Sequence, residues 1–226
     1  MRMKIMFSTC ATGIAFFIFW AISLHNAELY SSLTNESRGV ELLTAIFYII
    51  AGIILLKQGY DLAKSGKINA AIFIFLLGLF FIFVGGEEES WGQWILGLST
   101  PENLKSINAQ EEINIHNLKI FSGLMSPHFI LNMFVVLYCI TIPIFEELFK
   151  PIQKFLHKIS FPSIPLFYTP IFILALVYEK AMWIIGAGET WRHTEITEFF
   201  FACGFLAFSL TSMLRLNSQV QHFTQK

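Results

Sequence analysis

The stretch Gly85-Gly86-Glu87-Glu88-Glu89-Ser90-Trp91-Gly92-Gln93-Trp94 joins a long apolar run to the most polar part of the chain. The apolar run before it, residues 69–86, carries no charged side chain and is long enough to cross a bilayer as a helix. Carboxylates at a membrane boundary are costly to desolvate, so they usually mark a functional site. The stretch therefore predicts a membrane-spanning helix and indicates the end of that helix at which a site lies.

The composition as a whole is that of a membrane protein. Of the 226 residues, 55% are hydrophobic and only 14% are charged, whereas a soluble domain carries about 25% charged residues. The formal net charge of -1 argues against a nucleic-acid partner, because such proteins present a basic surface. We predict an all-α fold, a polytopic helix bundle that contacts the lipid bilayer and forms a single domain over residues 1–226.

Six apolar segments are long enough to span a membrane. They cover roughly residues 5–24, 39–57, 69–86, 126–145, 164–187 and 195–214. No small-residue cleavage site follows Leu24, so the first segment is interpreted as a retained anchor rather than a signal peptide. The connection over residues 87–125, called the cap below, is the only long one, and long loops tend to be functional. We expect it to carry short interfacial helices, one of them starting at Thr100-Pro101 and covering residues 101–107.

The distribution of basic residues predicts the orientation, because cytoplasmic loops carry an excess of Lys and Arg. With the N-terminus inside, the inner segments hold Arg2, Lys4, Lys57, Lys64, Lys67, Lys150, Lys154, Lys158, Arg215 and Lys226. The outer segments hold Arg38, Lys105, Lys119 and Arg192. We therefore expect a multi-pass protein of the cytoplasmic (inner) membrane, with both termini inside and the cap on the outer or periplasmic side.

The glutamates that follow the paired glycines are the first candidate site. If the helix continues past the glycines, Glu87 and Trp91 share one face, and Glu89 and Gln93 share another. Successive residues lie about 100° apart on a helix, so the three glutamates cannot all face one pocket. We predict catalytic roles for Glu87 and Glu88, supported by Trp91 and Gln93. The alternative is an interfacial amphipathic segment whose acids are solvated.

The second candidate site combines carboxylates with imidazoles. Glu112 and His116 are four residues apart and would lie one above the other on a helix, which predicts catalytic roles for both. Glu189 and His193 repeat the spacing on the same predicted side of the membrane. Carboxylate and imidazole ligands suit zinc, so a divalent metal, zinc first, is expected on His116, His193 and Glu189. The alternatives are an acid–base relay without metal and simple helix-end capping.

Other polar side chains are expected to support this site or to bind the substrate. They are Asn108, Gln110, Asn114, Asn117, Glu179 and Glu198. Glu179 lies within a predicted span, where an acid is a functional candidate. His128 and Asn132 are four residues apart and are expected to share a face inside the bundle. Pro170 is expected to kink the fifth span.

The polar pattern resembles a signature of uncharacterised bacterial multi-span membrane proteins. The matching residues are Gly86-Glu87-Glu88-x-Ser90-Trp91-Gly92-Gln93, then Thr100-Pro101, then Asn108-x-Gln110-x-Glu112-x-Asn114-x-His116-Asn117. Glu89 departs from the signature, which has an apolar residue there, and is therefore the glutamate least expected to be functional. The resemblance implies a membrane protein but brings no established activity.

Two weaker resemblances are to families of membrane hydrolases. Glu87-Glu88 and His128-Phe-Ile-Leu-Asn132 look similar to motifs of the intramembrane glutamate proteases, but that family's Phe-x-x-x-His motif and its arginine are missing. The ceramidase and adiponectin-receptor group consists of seven-span zinc hydrolases. Its paired His-x-x-x-His is absent here, and six spans are predicted instead of seven.

Three classes of function fit these patterns. The first is a metal-dependent hydrolase or transferase that acts on a lipid or lipid-linked substrate at the outer membrane face. The second is a non-catalytic binding, sensing or assembly subunit whose cap docks a protein partner. The third is a transporter of a small solute or protons, for which three spans on each side of the cap would allow an inverted repeat.

Overall fold

The computed structural model describes the backbone of residues 2–34, 39–121, 126–185 and 190–224, and the side chains within these ranges except 2–9, 27, 94, 190–191 and 214–224. The described part is helical, and its only extended pairing is one bridge between Asn108 and Leu118. The helices are α1 (Arg2–His25), α2 (Ala27–Leu33), α3 (Val40–Lys64), α4 (Ile68–Glu88), α5 (Gln93–Leu96), α6 (Glu102–Lys105), α7 (Pro127–Phe134), α8 (Ile142–Leu148), α9 (Lys150–Lys158), α10 (Thr169–Ile184) and α11 (Thr190–Thr224).

Five stretches of the described chain are long and apolar enough to cross a membrane. They are Val40–Lys64, Ile68–Glu88, Pro127–Leu148, Leu166–Ile184 and Arg192–Met213. They coincide with five of the six segments predicted from the sequence, which confirms an all-helical protein with multi-pass character. The first predicted segment is helical as α1, but its described apolar part, Cys10–His25, is shorter than a span. The count of six and the orientation stay predictions.

The helix α4 runs two residues past the predicted end of the span at residue 86, but it does not continue to Trp91. It passes through the paired glycines and stops at Glu88, and Ser90 and Trp91 then adopt positive φ angles of 44° and 56°. Such angles are uncommon for residues with a side chain and end a helix sharply. The predicted face carrying Glu87 and Trp91 in consecutive turns therefore does not exist. Instead, the Trp91 ring folds back over Gly86, where a Cβ atom would lie 2.8 Å from the ring.

Two further local expectations are wrong. Pro170 does not kink a span, because it occupies the first turn of α10, where its missing N–H and fixed φ are tolerated. Glu112 and His116 do not lie on a helix, since the segment around them is a loop closed by the Asn108–Leu118 bridge. The predicted surface helix is present as α6, shortened to Glu102–Lys105.

Aromatic rings fill the centre of the bundle. Phe205 of α11 lies 4.5 Å from Phe81 of α4 and 5.0 Å from Phe172 of α10, measured between ring centroids. Tyr48 of α3 lies 5.9 Å from the Phe205 ring. These rings are fully buried or nearly so, and they fix the helices laterally.

The helices alternate in direction, and this gathers particular helix ends together. The chain begins α3, α7 and α11 and ends α4 and α10 at one end of the bundle, where their acidic and imidazole side chains approach each other. The cap leaves α4 at this same end. The polar chemistry of the described chain is therefore concentrated at one end of an apolar bundle.

The helices α3 and α4 pack tightly against each other, and Gly52 permits this approach. A Cβ atom on Gly52 would lie 2.7 Å from the carbonyl oxygen of Gly78 and 2.7 Å from a side-chain carbon of Ile82. Small residues at such crossings let two backbones pack directly, which is how helices associate in membranes.

Gly52→Ala is expected to lower the thermal unfolding midpoint in detergent, because the added methyl group clashes with the facing backbone. Overpacking of this kind costs about 1–3 kcal/mol. Gly13→Ala in α1 is the matched control, since no atom lies within 4 Å of the added group. Equal midpoints for the two variants would contradict the close packing at Gly52.

Candidate functional site

Glu87 anchors the cap to the end of α4. Its Oε1 accepts a 2.6 Å hydrogen bond from the indole nitrogen of Trp91. Its Oε2 accepts the backbone N–H groups of Ile115 at 2.7 Å and His116 at 2.9 Å. The His116 ring nitrogen Nδ1 lies 3.6 Å from the same oxygen. Glu87 is buried. Its carboxylate holds the segment around Ile115 and His116 against the end of α4.

Glu112 is a second buried carboxylate, and one of its oxygens collects three donors. Its Oε2 accepts the Ser90 hydroxyl at 2.9 Å, the Asn114 side-chain amide at 2.7 Å and the Asn117 amide at 3.3 Å. Asn117 also donates to the side-chain oxygen of Gln110. Hydrogen bonds to a carboxylate are about twice as strong as neutral ones. Glu112 therefore fastens the start of the cap to its end.

Gln93 and Thr100 form the middle of the cap. Gln93 accepts the backbone N–H of Ile113 at 2.6 Å and donates its amide to the Thr100 hydroxyl at 2.9 Å. Thr100 in turn donates to the carbonyl oxygen of Glu111 at 2.6 Å. The Thr100 hydroxyl therefore joins the two halves of the cap, and Pro101 directly precedes α6.

Asn108 turns the second half of the cap back on itself. Its Oδ1 accepts the backbone N–H groups of Gln110 at 2.9 Å and Glu112 at 3.2 Å, while its Nδ2 donates to Asn114 at 2.9 Å. Buried polar groups are stable only when they are hydrogen bonded in this way. The polar residues of the cap thus hold one another in place.

The predicted catalytic roles of Glu87, Glu112 and His116 stay predictions. The contacts observed for these three groups are those of a structural clamp, because backbone and amide donors occupy the carboxylate oxygens. Glu88 is different. Its carboxylate lies close to acids of two other helices, α3 and α11.

Glu88 meets Glu41 and Glu195 at the end of the bundle. One carboxylate oxygen from each residue can be chosen so that all three lie within 4.8 Å of one another. The three residues are half-buried and come from the first turn of α3, the last turn of α4 and the second turn of α11. The charge of Glu198, one turn further along α11, also acts on Glu88.

Tyr48 is a buried residue of α3, the helix that contributes Glu41 to this carboxylate cluster. Tyr48 follows Glu41 by seven residues, so it occupies nearly the same face of α3 two turns deeper. It is 0% exposed, and its hydroxyl has no hydrogen-bond partner in the described structure. The charges of Glu88 and Glu198 act on it. A buried hydroxyl without a partner is rare and calls for an explanation.

His128 lies between two further acids, Glu198 of α11 and Glu179 of α10. Its Nδ1 lies 3.0 Å from Oε1 of Glu198 and its Nε2 lies 3.3 Å from Oε1 of Glu179. The Asn132 amide lies 2.8 Å from Nε2, so these two residues share a face inside the bundle as expected. Lys180 reaches the same Glu179 oxygen at 3.0 Å from a largely exposed position. The second Glu179 oxygen is buried without a described partner.

The histidines predicted as metal ligands lie elsewhere. His116 faces Glu87, and His193 is buried with its Nδ1 2.6 Å from the Tyr30 hydroxyl. Among the described residues, neither belongs to the group of ligand atoms formed by the three glutamates. Glu189, the third predicted ligand, lies outside the described residues.

Sequence reasoning missed Glu41 and Glu195 as site residues and gave His128 no role of its own. A usable signal was present, because each lies within the first turns of an apolar segment at the same predicted side as Glu88. The pairing of residues so far apart in the chain follows from the helix directions, which the orientation prediction implied.

A scan of protein-family models finds no match to this chain, and searches of curated proteins and of solved structures find none either.

Glu89 is a buried acid of the cap whose carboxylate is not fully hydrogen bonded among the described residues. One of its oxygens has no hydrogen-bond partner in the described structure. Burial and, after it, the charge of Glu112 raise the pKa of Glu89 above its ordinary value of 4.5. The folded protein therefore holds the proton of Glu89 more tightly than the unfolded chain does.

The thermal midpoint of Glu89→Gln is expected to exceed that of the wild type at neutral and alkaline pH and to equal it below pH 4.5. A raised pKa contributes stability in acid that is lost as the pH rises through the folded-state value, and the amide removes that loss. The control is Glu102→Gln, an exposed acid of the cap. A constant difference across the pH range would rule out this linkage.

Glu87→Ala is expected to speed amide hydrogen exchange at Ile115 and His116, because both N–H groups lose their acceptor. Hydrogen bonds to charged groups contribute about 1.5–3 kcal/mol, which corresponds to roughly tenfold or more in local opening. Exchange mass spectrometry measures this, with Glu102→Ala as the control. Unchanged protection of the 113–117 peptide would refute the clamp.

Proposed function

We propose that Glu41, Glu88 and Glu195 bind a divalent cation, and that the protein uses this cation to hydrolyse or transfer a group of a lipid or lipid-linked substrate. The observation that carries the proposal is the approach of three carboxylate oxygens to within 4.8 Å of one another. A cation between them would meet oxygens at about 2.0–2.6 Å, the range of Mg²⁺ and Ca²⁺ sites.

Two independent features support a positive charge at this position. Glu88 ends α4, where the helix dipole disfavours an anion, so a cation beside this carboxylate would be stabilising. The Tyr48 hydroxyl is buried two helical turns deeper in α3 than Glu41, and it has no hydrogen-bond partner among the described residues. In this proposal it is the candidate partner of a cation-bound water, because groups around a metal commonly hold its ligands in place.

The ligand atoms favour a hard cation. Three carboxylates and no imidazole suit Mg²⁺ or Mn²⁺, whereas zinc prefers nitrogen and sulfur ligands. The expectation of zinc rested on His116 and His193, which contact Glu87 and Tyr30 instead. Zinc stays a prediction that the described ligand set does not favour.

The surroundings of the cluster suit hydrolysis or group transfer. A bound cation polarises a phosphoryl or carbonyl oxygen and lowers the pKa of a bound water, which makes a nucleophile near neutral pH. His128, held between Glu198 and Glu179, is the candidate acid–base group, because Glu198 lies one helical turn from Glu195 on α11. A site at the end of a membrane bundle lies level with lipid headgroups.

One observation favours a non-catalytic alternative. The polar groups of the cap are occupied by internal hydrogen bonds, which is what a rigid docking or assembly module needs. Under this alternative the carboxylate cluster would stabilise the assembly without turnover. Cation binding alone therefore does not distinguish the enzyme from the assembly subunit. Turnover of a substrate that requires the cation does distinguish them.

Mn²⁺ is expected to bind the purified protein at about one ion per chain, and Glu88→Gln is expected to weaken binding by more than 100-fold. The loss of an outer-sphere partner alone costs about 10–100-fold, so Tyr48→Phe should weaken binding by about tenfold. Elemental mass spectrometry gives the stoichiometry, and titration calorimetry gives the affinity in a mild detergent.

Glu102→Gln serves as the matched control, because it removes the same charge from an exposed position. Binding that is equal in Glu88→Gln and Glu102→Gln would refute the cation site. If the wild type binds the cation but turns over no class of lipid headgroup, the assembly role is favoured.

A further inference from the structure

The outer surface of the first part of the cap, residues 91–101, is largely apolar, although the cap as a whole is rich in polar residues. Ile95, Leu96 and Leu98 are 75%, 67% and 51% exposed. No residue from Ser90 to Pro101 carries a charge. A run of exposed aliphatic side chains without a single charged neighbour is unusual for a surface in contact with water.

Three of the four Ser, Thr and Gln side chains in the same run are buried, and Ser99 alone of these is exposed. Gln93 and Thr100 are each 5% exposed and hydrogen bond to each other and to the backbone of the second half of the cap. A loop in water shows the opposite arrangement, with amides and hydroxyls outside and aliphatic groups inside. The distribution in the cap is that of a surface in contact with hydrocarbon.

The apolar surface of the cap continues the lipid-facing surface of a spanning helix. Phe83 is exposed on α4, within the stretch Ile68–Glu88 that is long enough to cross a membrane. The ring of Trp91, itself half exposed, lies 6.0 Å from the Phe83 ring. Tryptophan is enriched where a protein crosses from hydrocarbon to headgroups. The surface therefore runs from the span to the cap without interruption by charge.

The second half of the cap also exposes aliphatic side chains, and a lysine lies beside them. Ile107 and Ile120 are 53% and 80% exposed on the two sides of the Asn108–Leu118 bridge. Lys119 is exposed between them and donates to the carbonyl oxygen of Ser106. Lysine beside exposed aliphatic groups suits the level of lipid phosphates.

We propose that the cap is a monotopic insert whose tip, Ile95–Leu98, lies among the acyl chains of the leaflet next to the carboxylate end of the bundle. The occupant of this surface is lipid, because the apolar area is continuous with a membrane span and carries no charge. The proposal does not depend on cation binding or on catalysis.

The test uses the full chain reconstituted in phosphatidylcholine vesicles. A nitroxide is attached at Leu96→Cys, with Cys10, Cys139 and Cys203 replaced by alanine, and its collision rates with oxygen and with an aqueous nickel chelate are measured. Asn103→Cys is the matched control, an exposed polar position of the same cap. We expect the label at position 96 to favour oxygen strongly and the label at position 103 to favour the chelate.

Equal access of the chelate to both positions would place the tip in water and overturn the proposal. Shielding of position 96 from both reagents would indicate a protein contact and would also overturn it. The unmodified chain gives a second measurement that needs no variant. A phosphatidylcholine that carries a photoreactive group on its acyl chain, close to the headgroup, should form adducts within residues 91–98. Adducts confined to the spanning helices would contradict insertion.

Discussion

A bilayer cannot solvate a carboxylate, and the end of the bundle with its cap is organised by that constraint. Four of the buried acids draw on three sources of compensation, while Glu89 keeps one oxygen without a partner among the described residues. Glu87 uses backbone N–H groups of the cap, Glu112 uses side-chain amides, and Glu179 and Glu198 share the imidazole of His128. Glu88 instead faces further carboxylates. A divalent cation is the compensation that we propose for Glu88.

The same constraint explains why the cap is folded as it is. The carboxylate of Glu87 can remain buried only if donors are brought to it, and the cap supplies them by turning sharply at Ser90 and Trp91. Turning the polar groups inward leaves aliphatic side chains outside. A cap built in this way suits the surface of a membrane rather than water, and it leaves the end of α4 free to present Glu88 to the neighbouring helices.

The helical fold could be predicted from the sequence because each span is an uninterrupted apolar run of sufficient length. The site could be predicted only in part. The clustering of chemistry around residues 87–117 was visible, but the direction of each side chain was not. Glu87 and Glu88 are adjacent and chemically identical, yet one clamps the cap and the other faces the bundle, because they lie about 100° apart on α4. Glu41 was not predicted as a site residue because no polar motif surrounds it in the sequence. The packing of α3 against α4 and α11 brings it to the site.

The central claim concerns the position of one cation, and anomalous diffraction from crystals of the protein grown with Mn²⁺ tests it most directly. The account predicts one peak between the side chains of Glu41, Glu88 and Glu195, lost in crystals of Glu88→Gln. Ordered carboxylates without a peak between them, or a peak on the cap residues Glu87 and His116 instead, would contradict it.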